Sequence, residues 1–245
     1  MNLLHLNYRP SLAAALTAVL GAAVVTSAAA QDIKLSAEAI VEQESRTRRQ
    51  VKLFDFDERA EGNYESIPMY WTKLHGPGLP EYAKGAFDPD VGHLAPPSFR
   101  LSLNGGNIAY VYKQRDLAID PQSDYLVVGF VKTQQLKYSR SFIAASFLDR
   151  FGDQIPGSHR VSNLAGAAAD DNDEWQRLEL VMPGKFPDAT AVRLDLWLAQ
   201  TYVWADSQSD TLDPIVRQDI HGVAWFDDIA VYRLPPSPKP RSTSL

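Results

Sequence analysis

From Val51 onward, short apolar runs alternate with clusters of Gly, Pro, Asn and Asp. Nine runs read as strands: "VKLFDFD" (51–57), "PMYWTKL" (68–74), "SFRLSL" (98–103), "IAYVYK" (108–113), "YLVVGFVKT" (125–133), "SFIAASFLD" (141–149), "WQRLELVM" (175–182), "AVRLDLWLAQ" (191–200) and "VAWFDDIAVYRL" (223–234). They are short, rich in β-branched and aromatic residues, and bounded by turn formers, and helical periodicity is absent between them. "PMYWTKL" is the weakest and reads as an edge strand or a loop. Many short strands without interleaved helices predict an all-β, antiparallel β-sandwich, with a jelly roll as the expected version. "NGGN" (104–107) has the residues for the positive φ angles of a tight hairpin, and "DRFGDQ" (149–154) reads as a hairpin loop with Gly152 at its turn.

The ends of the chain are patterned differently. Residues 1–30 read as a signal peptide: His5 and Arg9 in a polar start, an apolar stretch from Leu12 to Val25, and Ala28-Ala29-Ala30 before Gln31. That apolar core is short against the roughly 20 residues of a membrane span. Residues 31–50 form a polar leader with helix-favouring composition. The strand-rich domain is expected over 51–234, and the proline-spaced tail 235–245 is expected to be extended. Two connections, 74–97 and 204–221, are long for a compact sandwich, and long ordered loops often carry function.

Composition narrows the partners. Of 245 residues, 45% are hydrophobic and 22% charged, enough for one domain with a real core, and the net charge of −6 argues against nucleic acid or anionic lipid. Cysteine is absent, which removes disulfides and thiolate chemistry. An export signal on a cysteine-free chain suits a bacterial protein of the periplasm, the cell surface or the medium. A monomer is expected, with no membrane span beyond the signal segment.

Four pieces carry a resemblance to a known family: "FDFDE" followed by Tyr70 and Trp71; "LAIDPQSDYLVVGFVKT" (117–133); "DEWQRLELVMPG" (173–184); and "GVAWFDDIAVYRL" at the end. In that order they resemble the galactose-binding-domain-like jelly rolls, in particular secreted carbohydrate-binding modules. The resemblance spans most of Val51 to Leu234. It implies a non-catalytic module that recognises a glycan through an aromatic face. It also implies one structural calcium ion between the first and last strands, with Asp57 and Asp227 at the matching positions. Two other classes stay open: a structural or adhesion domain with protein partners, and a small glycan-active hydrolase or lyase.

Strict alternation in the last strand would put Trp225, Asp227, Ile229 and Val231 on one face, and Phe226, Asp228, Ala230 and Tyr232 on the other. Asp227 then lies among aliphatic residues and must be paired, metal-bound or capping backbone amides. Asp228 is expected to meet solvent or an arginine. For glycan contact the candidates are Tyr110 and Tyr112, which share a face of one strand, and Tyr202 and Trp204, where a strand runs into a long loop. Trp175, Trp197 and Trp225 are assigned to the core. "ADDNDEW" (169–175) lacks the glycine and distant glutamate of a calcium loop and reads as a solvated turn. No nucleophile elbow, zinc-protease helix or phosphate loop occurs, and His75, His93, His159 and His221 are scattered.

Overall fold

A computed structural model describes residues 48–58, 62–121, 123–166, 174–200 and 220–234. The signal segment, nearly all of the leader, the acidic turn up to residue 173 and the proline-rich tail lie outside the described residues, as do Tyr202 and Trp204.

The described residues form eleven strands: β1 (Arg49–Phe54), β2 (Trp71–Lys73), β3 (Gly85–Asp88), β4 (Ser98–Asn104), β5 (Ile108–Tyr112), β6 (Tyr125–Lys137), β7 (Ser139–Leu148), β8 (Arg160–Val161), β9 (Gln176–Met182), β10 (Ala191–Gln200) and β11 (His221–Arg233). All nine runs read from the sequence become strands. The weak one survives as three residues, β2, at the edge of its sheet. Two strands were not legible: β3 inside the long connection 74–97, and the two-residue β8. Both are too short to show a period, and pairing with a neighbour defines them.

The strands build two antiparallel sheets. One runs β3-β4-β11-β6-β9, with β1 also on β11, and the other runs β2-β5-β10-β7-β8. From β4 to β7, and again from β9 to β11, the chain crosses between sheets at each step, the winding of a jelly roll. The "NGGN" turn is therefore corrected. Gly105 (φ +89°) and Gly106 (φ +76°) do take positive φ, but they arch the chain from β4 in one sheet to β5 in the other and close no hairpin. The "DRFGDQ" loop is a hairpin as expected: Leu148 bridges Gln154, and Gly152 turns at φ +89°.

The inner faces interlock as one apolar core. Leu194, Leu196 and Leu198 of β10, Ile143, Ala145 and Phe147 of β7, and Phe99, Leu101, Val127, Leu178, Phe226, Ile229 and Val231 of the facing sheet are all buried in it. Trp71 sits at one end, with Phe54 5.4 Å away and Tyr112 5.5 Å away between ring centroids. Each buried Leu, Ile, Val or Phe among them contributes roughly 1.5–3 kcal/mol by leaving water.

One irregularity changes the faces of the last strand. Asp227 pairs with Phe130 and Ala230 with Val128, so two residues, Asp228 and Ile229, stand opposite Gly129 alone. Asp228 takes φ +46° at this bulge. The extra residue rephases the strand. Ala224 and Phe226 face the core before it and Ile229 and Val231 after it. Asp227 shares the outer face with Trp225, as alternation expects, but Ile229 and Val231 lie on the inner one, which corrects their expected place beside Asp227.

Candidate functional site

The clearest chemistry lies on the outer face of the five-stranded sheet. In β10 the three leucines at 194, 196 and 198 point inward, which sends Arg193, Asp195 and Trp197 outward at every second position. Register places Ser146 beside Arg193, Ala144 and Val111 on either side of Asp195, and Phe142 and Ala109 on either side of Trp197. Val111 and Ala144, on either side of the carboxylate, are both buried. Trp197 is half-buried and Phe142 buried, and their rings lie nearly parallel (8°) with centroids 6.0 Å apart. Together with Ala144, Ala199 and Val161 they form an apolar patch separate from the main core.

The polar half of this face is tightly organised. Arg193 donates through Nε and Nη2 to the two carboxylate oxygens of Asp195, at 2.7 and 3.0 Å. Asp195 is only 4% exposed. Burial raises its pKa above the ordinary value, while Arg193, the charge of His159 and a hydrogen bond from Trp197 oppose that rise. His159 shares a hydrogen bond with the Ser146 hydroxyl through Nδ1 at 3.1 Å. Desolvation pushes His159 below its usual value, against the pull of Asp195 and with help from Arg193 and Arg160, so its ring is neutral near pH 7. A planar apolar ring beside fixed donors and acceptors is a surface on which a sugar ring can stack and hydrogen-bond.

A second cluster, on the outer face of the larger sheet, surrounds the two aspartates of β11. The connection between β3 and β4 folds over them. The His93 backbone N–H donates to Asp227 Oδ2 at 2.7 Å, and Asp228 N–H donates to Asp227 Oδ1 at 2.8 Å. The His93 ring bonds Asp228 Oδ2 through Nδ1 at 2.8 Å and stacks on Phe130 with 3.8 Å between centroids, while Trp175 approaches it edge-on at 5.5 Å. Asp227 is 1% exposed, and burial lifts its pKa to about 7. The neighbouring Asp228 charge adds to that rise, and the two backbone donors and His93 oppose it.

This geometry decides the reading of Asp227. Both of its oxygens receive backbone donors, so it caps amides and ties a loop to the sheet. Calcium needs six to eight oxygens, whereas Asp57 is exposed and, among the described residues, receives a hydrogen bond at neither of its own oxygens, its N–H going to Asp55. No group of three or more His, Cys, Asp or Glu side chains positioned for a metal occurs among the described residues. The arrangement does not fit the expected ion. Asp228, expected to meet solvent or an arginine, is partly exposed and has His93 as its side-chain partner.

The aromatic expectations are largely inverted. The face shared by Tyr110 and Tyr112 is the inner one, with the residues 3% and 1% exposed. Tyr110 Oη accepts the Gly85 N–H at 2.9 Å, and Tyr112 donates to Asp116 at 2.6 Å. Burial raises both phenols. Neither ring is open to a ligand. Conversely, Trp225, assigned to the core, lies on the outer face, with its indole N–H on Asp88 Oδ2 at 2.7 Å and Arg100 and Lys132 over its ring. Trp197 and Trp175 also lie outside the main core cluster. A signal for the β10 site was present: Arg, Asp and Trp alternate with three leucines in "VRLDLWLAQ".

The fold defines an antiparallel jelly-roll sandwich, and solved structures with which it is similar include carbohydrate-binding modules. The CBM22-1 xylan-binding domain from Paenibacillus barcinonensis Xyn10C is 11% identical, with a TM-score of 0.48 over 78% of this chain and 98% of that one. The C-terminal family 22 carbohydrate-binding module of Clostridium thermocellum Xyn10B is 13% identical, with a TM-score of 0.44 over 79% and 99%. The enzymatically active domain of bacteriophage CBA120 tailspike protein 4 is 13% identical with a TM-score of 0.46; the match covers 68% of this chain but only 20% of that one. No family model matches the chain, and no curated protein matches it.

Proposed function

We propose that the domain is an exported, non-catalytic glycan-binding module whose contact surface is the outer face of the five-stranded sheet. Trp197 supplies the stacking platform, and Arg193 with His159 supplies hydrogen bonds at its flank. The carrying observation is the half-buried indole on the same strand face as a bidentate Arg193–Asp195 pair. Export rests on the apolar, Ala-terminated first thirty residues.

The test is affinity electrophoresis and calorimetry of the protein against a panel of soluble polysaccharides. Trp197→Ala should weaken binding by about tenfold or more, the equivalent of 1.4 kcal/mol, while the circular dichroism spectrum stays that of the parent. Equal binding by parent and variant would remove Trp197 from the site. Binding of no polysaccharide by the parent would favour an adhesion domain with a protein partner.

A further inference from the structure

We propose that Asp195 is the specificity-determining residue of the β10 face, and that it restricts this face to neutral glycans by cancelling the charge of Arg193 in place. This rests on the glycan reading above. Arginine is the side chain best matched to a carboxylate, because its planar fork offers parallel donors to two oxygens. Here the Nε–Nη2 edge of the guanidinium is already filled, and its charge is met by a carboxylate. Nε and Nη2 reach Asp195 Oδ1 and Oδ2 at 2.7 and 3.0 Å, and the Asp195 side chain is 6% exposed against 24% for that of Arg193.

Nη1 and the second N–H of Nη2 are left over, and Nη1 makes no hydrogen bond among the described residues. They are the donors of a charge-neutral pair, suited to hydroxyl or ring oxygens. A uronate or sulfate approaching them would also approach the fixed negative charge behind them. Discrimination by a built-in repulsive element is a common route to specificity.

The neighbours reinforce the assignment. Val111 and Ala144 flank Asp195 across the sheet, so the flanking strands bring no second cation to it. The nearest imidazole, His159, is held neutral, and Arg160 spends Nη1 on the carbonyls of Gly157 and His159. The whole chain carries a net charge of −6. Asp195 also stands between Arg193 and Trp197 on the same outward face of β10, so the buried carboxylate lies between the stacking ring and the polar flank.

The experiment uses two matched pairs of ligands that differ only in oxidation at C6: a β-1,4-glucan hexasaccharide with its C6-carboxylated form, and carboxyl-reduced polygalacturonate with polygalacturonate. The parent protein should prefer the neutral member of whichever pair it binds by about tenfold or more, and Asp195→Asn should shrink that preference to within about threefold, mainly by tightening on the uronate. A parent that prefers the uronate, or an Asp195→Asn variant that discriminates like the parent, overturns the inference and leaves the glycan reading standing. Binding of none of the four ligands by a parent that also binds no member of the polysaccharide panel sinks both.

The salt dependence of the parent alone provides a check that needs no variant. Neutral-ligand affinity should stay flat as salt rises, and uronate affinity should increase as repulsion is screened. Uronate affinity that falls with salt would mean an attractive site and overturn the inference.

Discussion

At the scale of single residues, burial has decided the meaning of charge. Asp227 holds its proton up to about pH 7 in the folded protein, against 3.8 for an unperturbed carboxyl. The folded state therefore binds more protons than the unfolded chain between those values, and this group's contribution to stability declines as pH rises through that window. Thermal melts should show the parent losing stability between pH 5 and pH 8, with a shallower slope for Asp227→Asn. Equal slopes would mean that the carboxyl is ionised throughout. A chelator should leave the melting temperature in place, because both oxygens of Asp227 already hold backbone donors. A fall of several degrees with chelator would restore the ion.

At the same scale, Gly129 is required beneath the bulge. A Cβ built there would stand 2.6 Å from Ile143 Cδ1 and 3.0 Å from Ile229 Cγ1. Gly129→Ala should destabilise the fold by about 1–3 kcal/mol, as overpacking of a filled core does, readable as a lower urea midpoint with an unchanged slope. An unchanged midpoint would show that Ile143 and Ile229 yield freely. The sequence shows a glycine in "YLVVGFVKT" but gives no reason for it, because the reason is a bulge on another strand.

At the scale of elements, periodicity was a good guide to strands and a poor guide to faces. β10 reads directly: three leucines inward, and Arg193, Asp195 and Trp197 outward. β5 is buried at all five positions, so alternation there carries no direction, and Tyr110 and Tyr112 turned inward where an open face was expected. In β11 the alternation is real on each side of Asp228, but the added residue reverses its phase. A period of two reports two faces; which of them meets the core depends on the sheet opposite.

At the scale of the whole molecule, the sandwich must protect its sheet edges. β9 is an edge of the larger sheet, and the side chain of Asn163 partly closes it: Nδ2 donates to the Arg177 carbonyl at 3.0 Å, and Oδ1 accepts the Glu179 N–H at 2.9 Å. One side-chain amide thus occupies two of the backbone groups that a further strand would use. Asn163→Ala should increase self-association of a chain expected to be monomeric, seen as a concentration-dependent rise in sedimentation coefficient or light scattering. A variant that sediments like the parent at every concentration would show that other features guard this edge.

The sequence by itself determined the class of fold, nine of the eleven strands and the positive-φ turns, because those follow from local spacing of apolar residues and from backbone-permissive glycines. It also contained the Arg-Asp-Trp alternation of β10. Only the tertiary structure decided that "NGGN" joins two sheets, that Asp227 caps a loop, and that the tyrosine pair is core while Trp197 lies at a surface. Those outcomes depend on which sheet packs against which face and on a bulge that shifts one strand by a residue. Neither is encoded in any window short enough to read along the chain.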